Sequence, residues 1–500
     1  MHARHVKPDL SPSAAKYAAF QAKDARFDGH FFVGVTSTGI YCRPICRAKL
    51  PVFQRCRFYA SAAAAEQAGF RPCLLCRPEL APGLAPVDAA ASLAERAARL
   101  MRDECSSAQG LPDLARRLGC TDRHLRRVFH AAYQVTPIQY LQTCRLLLAK
   151  RLLSETRWSV LDVAMAAGFS SLRRFNSVFR QRYRMAPTAL RRQAPAARPE
   201  ADAIALTLAY RPPYAWDQML TFLAARAVPG VECVVGGAYR RTVRLQTPSG
   251  AVLTGWFEVT HTPQAVGLCA RMSASLWPVL GTVLSRIRGL FDLDADPVRI
   301  HADLASMASL RADWPVLGLR LPGCFDPFEM AVRAVLGQQI SVKAARTLAQ
   351  RMVLAFGEAV SDGPEGLSHC FPSAQALLAL PGDLADHLGP LGITRTRARS
   401  IRALAQDVVD GQGWSDGSAE PAAACAALMR LPGIGAWTAH YLLMRVMGWP
   451  DAFLLGDVGV RKALSPRAPR GIAALAEGWR PWRSYAMINL WQAPPGDATP

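Results

Sequence analysis

The sequence predicts a multidomain α+β chain in four blocks: a small module of paired cysteines, a helical block that repeats itself, a sheet with helices packed on it, and a helical C-terminal block. Three observations carry this. At 500 residues the chain exceeds what one hydrophobic core supports, since single cores stop growing near about 250–300 residues. Ala115-Arg116-Arg117-Leu118-Gly119 recurs as Ala164-Met165-Ala166-Ala167-Gly168, and Phe129, Tyr133 and Pro137 recur fifty positions later as Phe179, Tyr183 and Pro187. From residue 203, short alternating apolar runs broken by Gly and Pro give way, from 311 onward, to helical periods.

The charge narrows the partner. The net charge is +21, and residues 113–192 hold sixteen Lys+Arg against four Asp+Glu, so over half the excess sits in one segment. A localised excess is an electrostatic footprint for nucleic acid. No secretory segment or apolar run of spanning length occurs, which predicts a cytoplasmic, nucleoid-associated protein without a membrane partner. Thirteen cysteines, an odd count, read as thiols or metal ligands in a reducing compartment.

In the first block, Cys42/Cys46 and Cys73/Cys76 form two close pairs 27 positions apart. Zn²⁺ takes four thiolates in a tetrahedron, and two short-spaced pairs supply them, so one four-cysteine zinc site is expected. Phe27-Asp28-Gly29, Thr38-Gly39-Ile40-Tyr41-Cys42-Arg43-Pro44 and Ala68-Gly69-Phe70-Arg71-Pro72-Cys73 resemble the zinc domain of the Ada family. The resemblance implies that the first cysteine of the quartet, here Cys42, accepts a methyl group from a methylated DNA phosphate. Zinc on four thiolates carries a formal −2, and methylation of Cys42 brings it to −1. Removing one charge pair at about 4 Å and an effective dielectric near 20 changes the energy by about 4 kcal/mol before salt screening, a switch for DNA binding. A purely structural zinc site is the alternative.

After a Pro/Ala-rich stretch at 80–86, the repeat begins. In each copy a glycine is followed by an N-cap, Thr121 or Ser170-Ser171, and then by a basic helix, the pattern of a helix-turn-helix. Two copies joined by an apolar helix around 140–153 resemble the AraC-type DNA-binding domain. That family places each second helix, here 122–129 and 171–179, in the major groove, so Arg123, His124, Arg126, Arg127, Arg173, Arg174 and Asn176 are expected to contact bases or phosphates. Leu118, Leu125, Val128, Phe129, Val163, Phe169, Phe175 and Phe179 are expected as core.

Residues 193–202 are an Ala/Pro/charged linker with nothing to bury, which predicts halves that move independently. Runs at 203–209, 240–245 and 252–259 predict antiparallel strands, with helices at 216–227 and 277–290.

In the last block, Leu431-Pro432-Gly433-Ile434-Gly435-Ala436-Trp437-Thr438-Ala439 describes a tight turn between helices, the second starting with bare N–H groups suited to a phosphate. Asp457, in the apolar, Gly-broken segment 453–458, either pairs with a helix N-terminus or does chemistry. With Trp479-Arg480-Pro481-Trp482-Arg483-Ser484-Tyr485-Ala486, these motifs resemble the helix-hairpin-helix DNA glycosylases and within them the 3-methyladenine glycosylase II (AlkA) branch, over residues 203–491. The resemblance implies an enzyme that flips a damaged nucleotide and cuts its N-glycosidic bond. The chemistry stands by itself: alkylating a purine ring nitrogen makes the base a cationic leaving group, and a carboxylate such as Asp457 stabilises the oxocarbenium-like sugar and orients water.

Trp437, Tyr441, Trp491 and Phe222 match the family's base pocket, where electron-rich faces suit a cationic base. Gln339 stands where AlkA-type enzymes carry an apolar wedge; a hydrogen-bonded joint is the alternative for Gln338 and Gln339. Strand-cutting relatives carry a Schiff-base lysine at the position of Trp437, so a monofunctional glycosylase is expected. Gly433 and Gly435 are expected to hold DNA phosphate, with a monovalent cation at the turn and no organic cofactor.

The resulting expectation is a four-cysteine zinc domain at 1–82, an all-α double helix-turn-helix domain at 86–192, the linker at 193–202, an α/β sheet domain at 203–300 and an all-α helix-hairpin-helix glycosylase domain at 301–500. Its partners are alkylated and promoter double-stranded DNA, with RNA polymerase a further one, and the chain is expected to be a monomer. No Pro-Cys-His-Arg segment occurs, so removal of methyl from guanine O6 is not expected. The competing class is a transcription regulator whose glycosylase half only binds DNA.

Overall fold

The computed structural model describes residues 12–81, 93–106, 110–193, 203–247, 250–411, 414–415 and 418–492. The linker at 194–202 and most of the Pro/Ala stretch lie outside them. The first module is built on a four-stranded sheet ordered β3-β1-β2-β4, where β1 is Phe32–Val35, β2 Ile40–Cys42, β3 Cys56–Tyr59 and β4 Arg71–Pro72. The parallel pairing of β2 with β4 sets Tyr41 opposite Pro72, and Cys73 N donates to Tyr41 O at 3.0 Å. That register brings two cysteine pairs distant in sequence to one end of the sheet.

The repeat folds twice in the same way. Helix Leu111–Arg117 turns through Gly119 at φ +68 into helix Asp122–Tyr133, and helix Val160–Ala166 turns through Gly168 at φ +81 into helix Leu172–Tyr183. Thr121 and Ser171 cap the second helices, each accepting a backbone N–H at 3.2 Å. The joining helix Pro137–Glu155 opens on a capping box between Thr136 and Gln139. Leu125, Phe129, Phe175 and Phe179 are fully buried, and of the expected core residues only Val128 is part-exposed.

The expected strands are found together with two that the alternation did not reveal, β6 Glu232–Val235 and β9 Gly267–Ser273. With β5 Ala203–Ala209, β7 Ala238–Gln246 and β8 Val252–Thr262 they form an antiparallel sheet ordered β5-β9-β8-β7-β6. Helices from Pro327–Leu336 to Arg483–Trp491 complete the chain.

The expected independence of the halves is not what the structure shows. One apolar cluster runs from Leu146 and Phe175 of the helix-turn-helix block into Leu206, Phe257 and Leu276 of the sheet block. Arg151 Nη2 donates to Thr207 O at 2.5 Å, and Glu155 accepts from Thr207 N at 3.2 Å. Arg211, 1% exposed, donates to Asp28 O at 3.1 and 2.8 Å, and Asp28 also pairs with Arg43, next to Cys42. Relative motion is set by the surface two bodies share, not by the composition of the segment joining them.

Zinc module and joining helix meet at a second buried carboxylate. Glu66 accepts from Tyr41 Oη at 3.0 Å and from Thr143 Oγ1 at 3.2 Å, while Arg182 Nη1 reaches its carbonyl at 3.1 Å. Burial raises the Glu66 carboxyl to about 7, against the downward pull of Tyr41, Arg182, Thr143 and Lys150. Its folded value thus lies above the ordinary glutamate value of about 4.3, so the folded state holds the extra proton between the two. Stability from this group is complete below that lower value and declines by about 4 kcal/mol as pH rises from it to about 7, above which it no longer changes. Thermal unfolding between pH 5 and 8 is expected to show this fall in wild type and a flatter profile in Glu66→Gln; an unchanged slope in the variant assigns the dependence to another group.

Candidate active site

Helix Pro421–Leu428 enters the hairpin turn and helix Ala436–Arg445 leaves it. Gly433 has φ +76, and a Cβ there would lie 2.2 Å from Ser400 Oγ, so backbone and neighbour both demand glycine. Gly435 differs: it is the extended N-cap of the second helix, with open space around it and no side-chain cap. Its contribution is to leave the helix's first N–H groups bare, a ready anion site. Gln338 Nε2 donates to Gly433 O and to Thr438 Oγ1, both at 3.0 Å, tying the preceding loop to the hairpin. Its neighbour Gln339 is exposed at φ +58. One amide is a joint, and the next is exposed with no hydrogen bond among the described residues.

Of the two readings of Asp457, the helix cap is observed, and the same carboxylate also faces two indoles. Oδ1 accepts from Val460 N at 3.0 Å, at the start of helix Val458–Ala463, and from Trp491 Nε1 at 2.8 Å. Oδ2 accepts from Trp437 Nε1 at 3.3 Å. Trp437 and Tyr441, one turn apart on the hairpin's second helix, stack at 5.2 Å and 7°. Trp491 ends helix Arg483–Trp491, whose residues Ser484 to Leu490 are all buried. Phe222, from helix Trp216–Arg226, lies nearly parallel to Trp491 at 6.3 Å and 17°. The structure therefore gathers Asp457, Trp437, Tyr441, Trp491 and Phe222 at one place from three separate helices and the cap of a fourth.

Three participants were not read as site residues from the sequence. Gly459 is one, since a Cβ there would come within 2.8 Å of Trp491 and 3.1 Å of Asp457 Oδ1. The others are Arg226, with Cζ 3.8 Å from the centroid of the Phe222 ring, and Arg445, with Cζ 5.0 Å from it and Nη1 donating to Tyr441 Oη at 2.7 Å. Each lies four positions after a predicted aromatic, so helical periodicity was the available signal. Burial lowers the Arg226 guanidinium to about 10, so it remains a cation at neutral pH. Behind it, Arg333 pairs with Glu232 and Glu329, and Arg241 with Glu329, in a buried network; Arg333 Nη2 also donates to Arg226 O at 2.6 Å. The network fixes the helix carrying Phe222 against helix Pro327–Leu336, which leads into Gln338 and Gln339.

In the first module, the Sγ atoms of Cys42, Cys46, Cys73 and Cys76 lie within 4.8 Å of one another, and all four are free of disulfides. A tetrahedral Zn²⁺ with bonds of about 2.3 Å needs sulfurs about 3.8 Å apart, so the donor set fits one zinc. The backbone N–H of Arg43 reaches Cys76 Sγ at 3.3 Å. Cys42 is 5% exposed. On the helix-turn-helix faces, Arg123, His124, Arg126, Arg127, Arg173 and Arg174 lie at the surface and Asn176 is half-buried. Arg126 pairs with Asp122, one turn away on its own helix.

Four family descriptions match successive parts of the chain: the metal binding domain of Ada over residues 15–79, a helix-turn-helix domain over 114–193, the AlkA N-terminal domain over 205–326, and the HhH-GPD superfamily base excision DNA repair protein over 332–466. The chain is 37% identical to the DNA-3-methyladenine glycosylase 2 of Escherichia coli (strain K12) over 287 residues, covering 57% of this chain and 96% of that one. It also matches a solved structure, the 3-methyladenine DNA-glycosylase from Archaeoglobus fulgidus, with TM-score 0.47 and 21% identity over 57% of this chain and 96% of the other. To the probable bifunctional transcriptional activator/DNA repair enzyme AlkA of Mycobacterium tuberculosis (strain CDC 1551 / Oshkosh) it is 40% identical over 485 residues, 95% of each chain. Identity at that level, sustained through all the modules, shows that this chain belongs to the family of bifunctional transcriptional activator/DNA repair AlkA proteins.

Proposed function

We propose that the chain is a DNA alkylation repair and response protein. Its C-terminal half is a monofunctional DNA-3-methyladenine (alkylpurine) glycosylase; its front modules are a methylphosphotriester acceptor and a sequence-specific transcription regulator. The observation that carries this is the Asp457 carboxylate, held by two indole N–H groups and a helix N-terminus beside four aromatic rings.

In this proposal the hairpin at Gly433 and Gly435 holds a DNA phosphate through bare N–H groups, and Gln339 fills the gap left in the duplex. The flipped base stacks among Trp437, Tyr441, Trp491 and Phe222. The C1′–N bond breaks with its electron pair going to the base, so a cationic alkylated purine leaves neutral. Asp457 stabilises the positive sugar carbon, and water adds to it, its proton passing to the carboxylate. Trp437 has no amine for a Schiff base, so the product is an abasic site.

Zinc, held by Cys42, Cys46, Cys73 and Cys76, keeps a thiol deprotonated at neutral pH. The Cys42 sulfur forms a bond to the methyl carbon as the methyl–oxygen bond breaks, and the phosphate recovers its negative charge. Cys42 is taken as the nucleophile because it stands at the acceptor position of the Ada resemblance, while Cys76 accepts the Arg43 N–H. Arg123, Arg126, Arg127, Arg173 and Arg174 meet promoter DNA. The same proposal takes the domain boundaries as 1–82, 86–192, 203–300 and 301–500, a cytoplasmic monomer, contact with RNA polymerase, and a monovalent cation on the hairpin carbonyls.

The first test is release of 3-methyladenine from methylated duplex DNA. In Asp457→Asn the amide oxygen still accepts from Val460 and Trp491, but an NH₂ opposes the Trp437 N–H, so the fold persists while the charge is gone. Losing about 4 kcal/mol of charge stabilisation lowers the rate by about three decades. Release by neither protein makes this half a DNA-binding platform. For the front module, one bound zinc per chain and methyl transfer from methylphosphotriester DNA onto the Cys42 peptide are expected by metal analysis and mass spectrometry; a label on Cys76 instead overturns the assignment.

A further inference from the structure

We propose that Arg226 sets this pocket's balance between cationic and neutral base lesions, disfavouring the former and assisting departure of the latter. The inference rests on the glycosylase proposal and concerns which bases that site takes. Arg226 lies four residues after Phe222 on one helix, and its guanidinium covers the Phe222 ring at 3.8 Å. Arg445 approaches the same ring at 5.0 Å and the Tyr441 ring at 5.5 Å.

Neither cation has a carboxylate partner among the described residues. Arg445 donates to Pro322 O, Gly323 O and Tyr441 Oη, whereas Arg226 has a single bond, to Phe222 O at 3.3 Å. Arg226 therefore keeps most of its five donors uncommitted. The neighbouring network of Glu232, Glu329, Arg241 and Arg333 balances its own charges. Among the described residues around the aromatic cluster this leaves two guanidinium ions, Arg226 and Arg445, beside the Asp457 carboxylate, whose charge favours the Arg226 cation while Arg445 and Arg333 oppose it.

An aromatic box alone favours a cationic base. Two guanidinium groups at its floor oppose that preference by like-charge repulsion and occupy part of the π surface. The leaving groups differ in the same sense. A cationic base departs neutral and needs no help, but a neutral purine takes the C1′–N electron pair as an anion, which a guanidinium with free N–H donors stabilises until water protonates the ring nitrogen.

The test compares single-turnover release of 7-methylguanine, a cationic lesion, and of hypoxanthine, a neutral one, from otherwise identical duplexes by full-length wild type, Arg226→Met and Arg226→Lys. Met keeps the aliphatic cover over Phe222 and removes the charge; Lys keeps the charge. The ratio of neutral to cationic release is expected to fall by at least about tenfold in Arg226→Met and to recover in part in Arg226→Lys. Equal losses on both substrates in Arg226→Met, or no recovery with Lys, make Arg226 a packing residue and overturn the proposal. Wild type releasing 7-methylguanine without hypoxanthine overturns it while leaving the glycosylase proposal intact; release of neither overturns both.

Discussion

Three N–H groups converge on the carboxylate of Asp457, one from a helix N-terminus and two from indoles that reach it from different helices. A carboxylate at this place satisfies the first turn of helix Val458–Ala463 and at the same time fixes the edges of Trp437 and Trp491. The rings that line the cluster are thus oriented by this one carboxylate. Geometry of this kind is held from behind: the buried helix carrying Trp491 supplies one wall, and the hairpin helix carrying Trp437 and Tyr441 supplies another. Gly459 is small because a side chain there would push against both Trp491 and Asp457.

Charge is distributed around this cluster in two ways. In the Glu232–Glu329–Arg241–Arg333 network every cation meets a carboxylate, so removing either partner would leave a buried charge exposed to low dielectric. Arg445 bonds backbone carbonyls and a hydroxyl and Arg226 a single carbonyl, and both lie against aromatic faces without a carboxylate partner among the described residues. The first arrangement locks helix Pro327–Leu336 to strands β6 and β7. The second places an uncompensated field where the aromatic rings meet.

The front and back halves form one packed body through contacts contributed by elements remote from the linker. Arg211 of the sheet block reaches the carbonyl of Asp28, whose carboxylate pairs with Arg43 beside the cysteine quartet. Glu66 joins the strand bearing Cys42 to the helix between the two helix-turn-helix units. These polar bridges make the thiolate cluster mechanically continuous with both DNA-binding halves.

Much of the site was legible in the chain because short-range signals carry it. Paired cysteines announce a metal by spacing, a repeat with glycine and N-cap announces a helix-turn-helix, and a Gly-rich turn followed by a lone acid in an apolar segment announces Asp457. By itself the sequence pointed to the fold class, the four-cysteine cluster and the hairpin, which rest on residue type and local spacing, while the aromatic set came from the family resemblance. Tertiary structure alone decided that Asp457 unites capping with indole contacts, that Gln338 is a joint while Gln339 is free, that Arg226 and Arg445 reach the Phe222 ring, and that the halves dock. The reason is physical. Hydrogen-bond partners and charge balance depend on distances between segments hundreds of residues apart, and no local pattern encodes a distance that only the packed core sets.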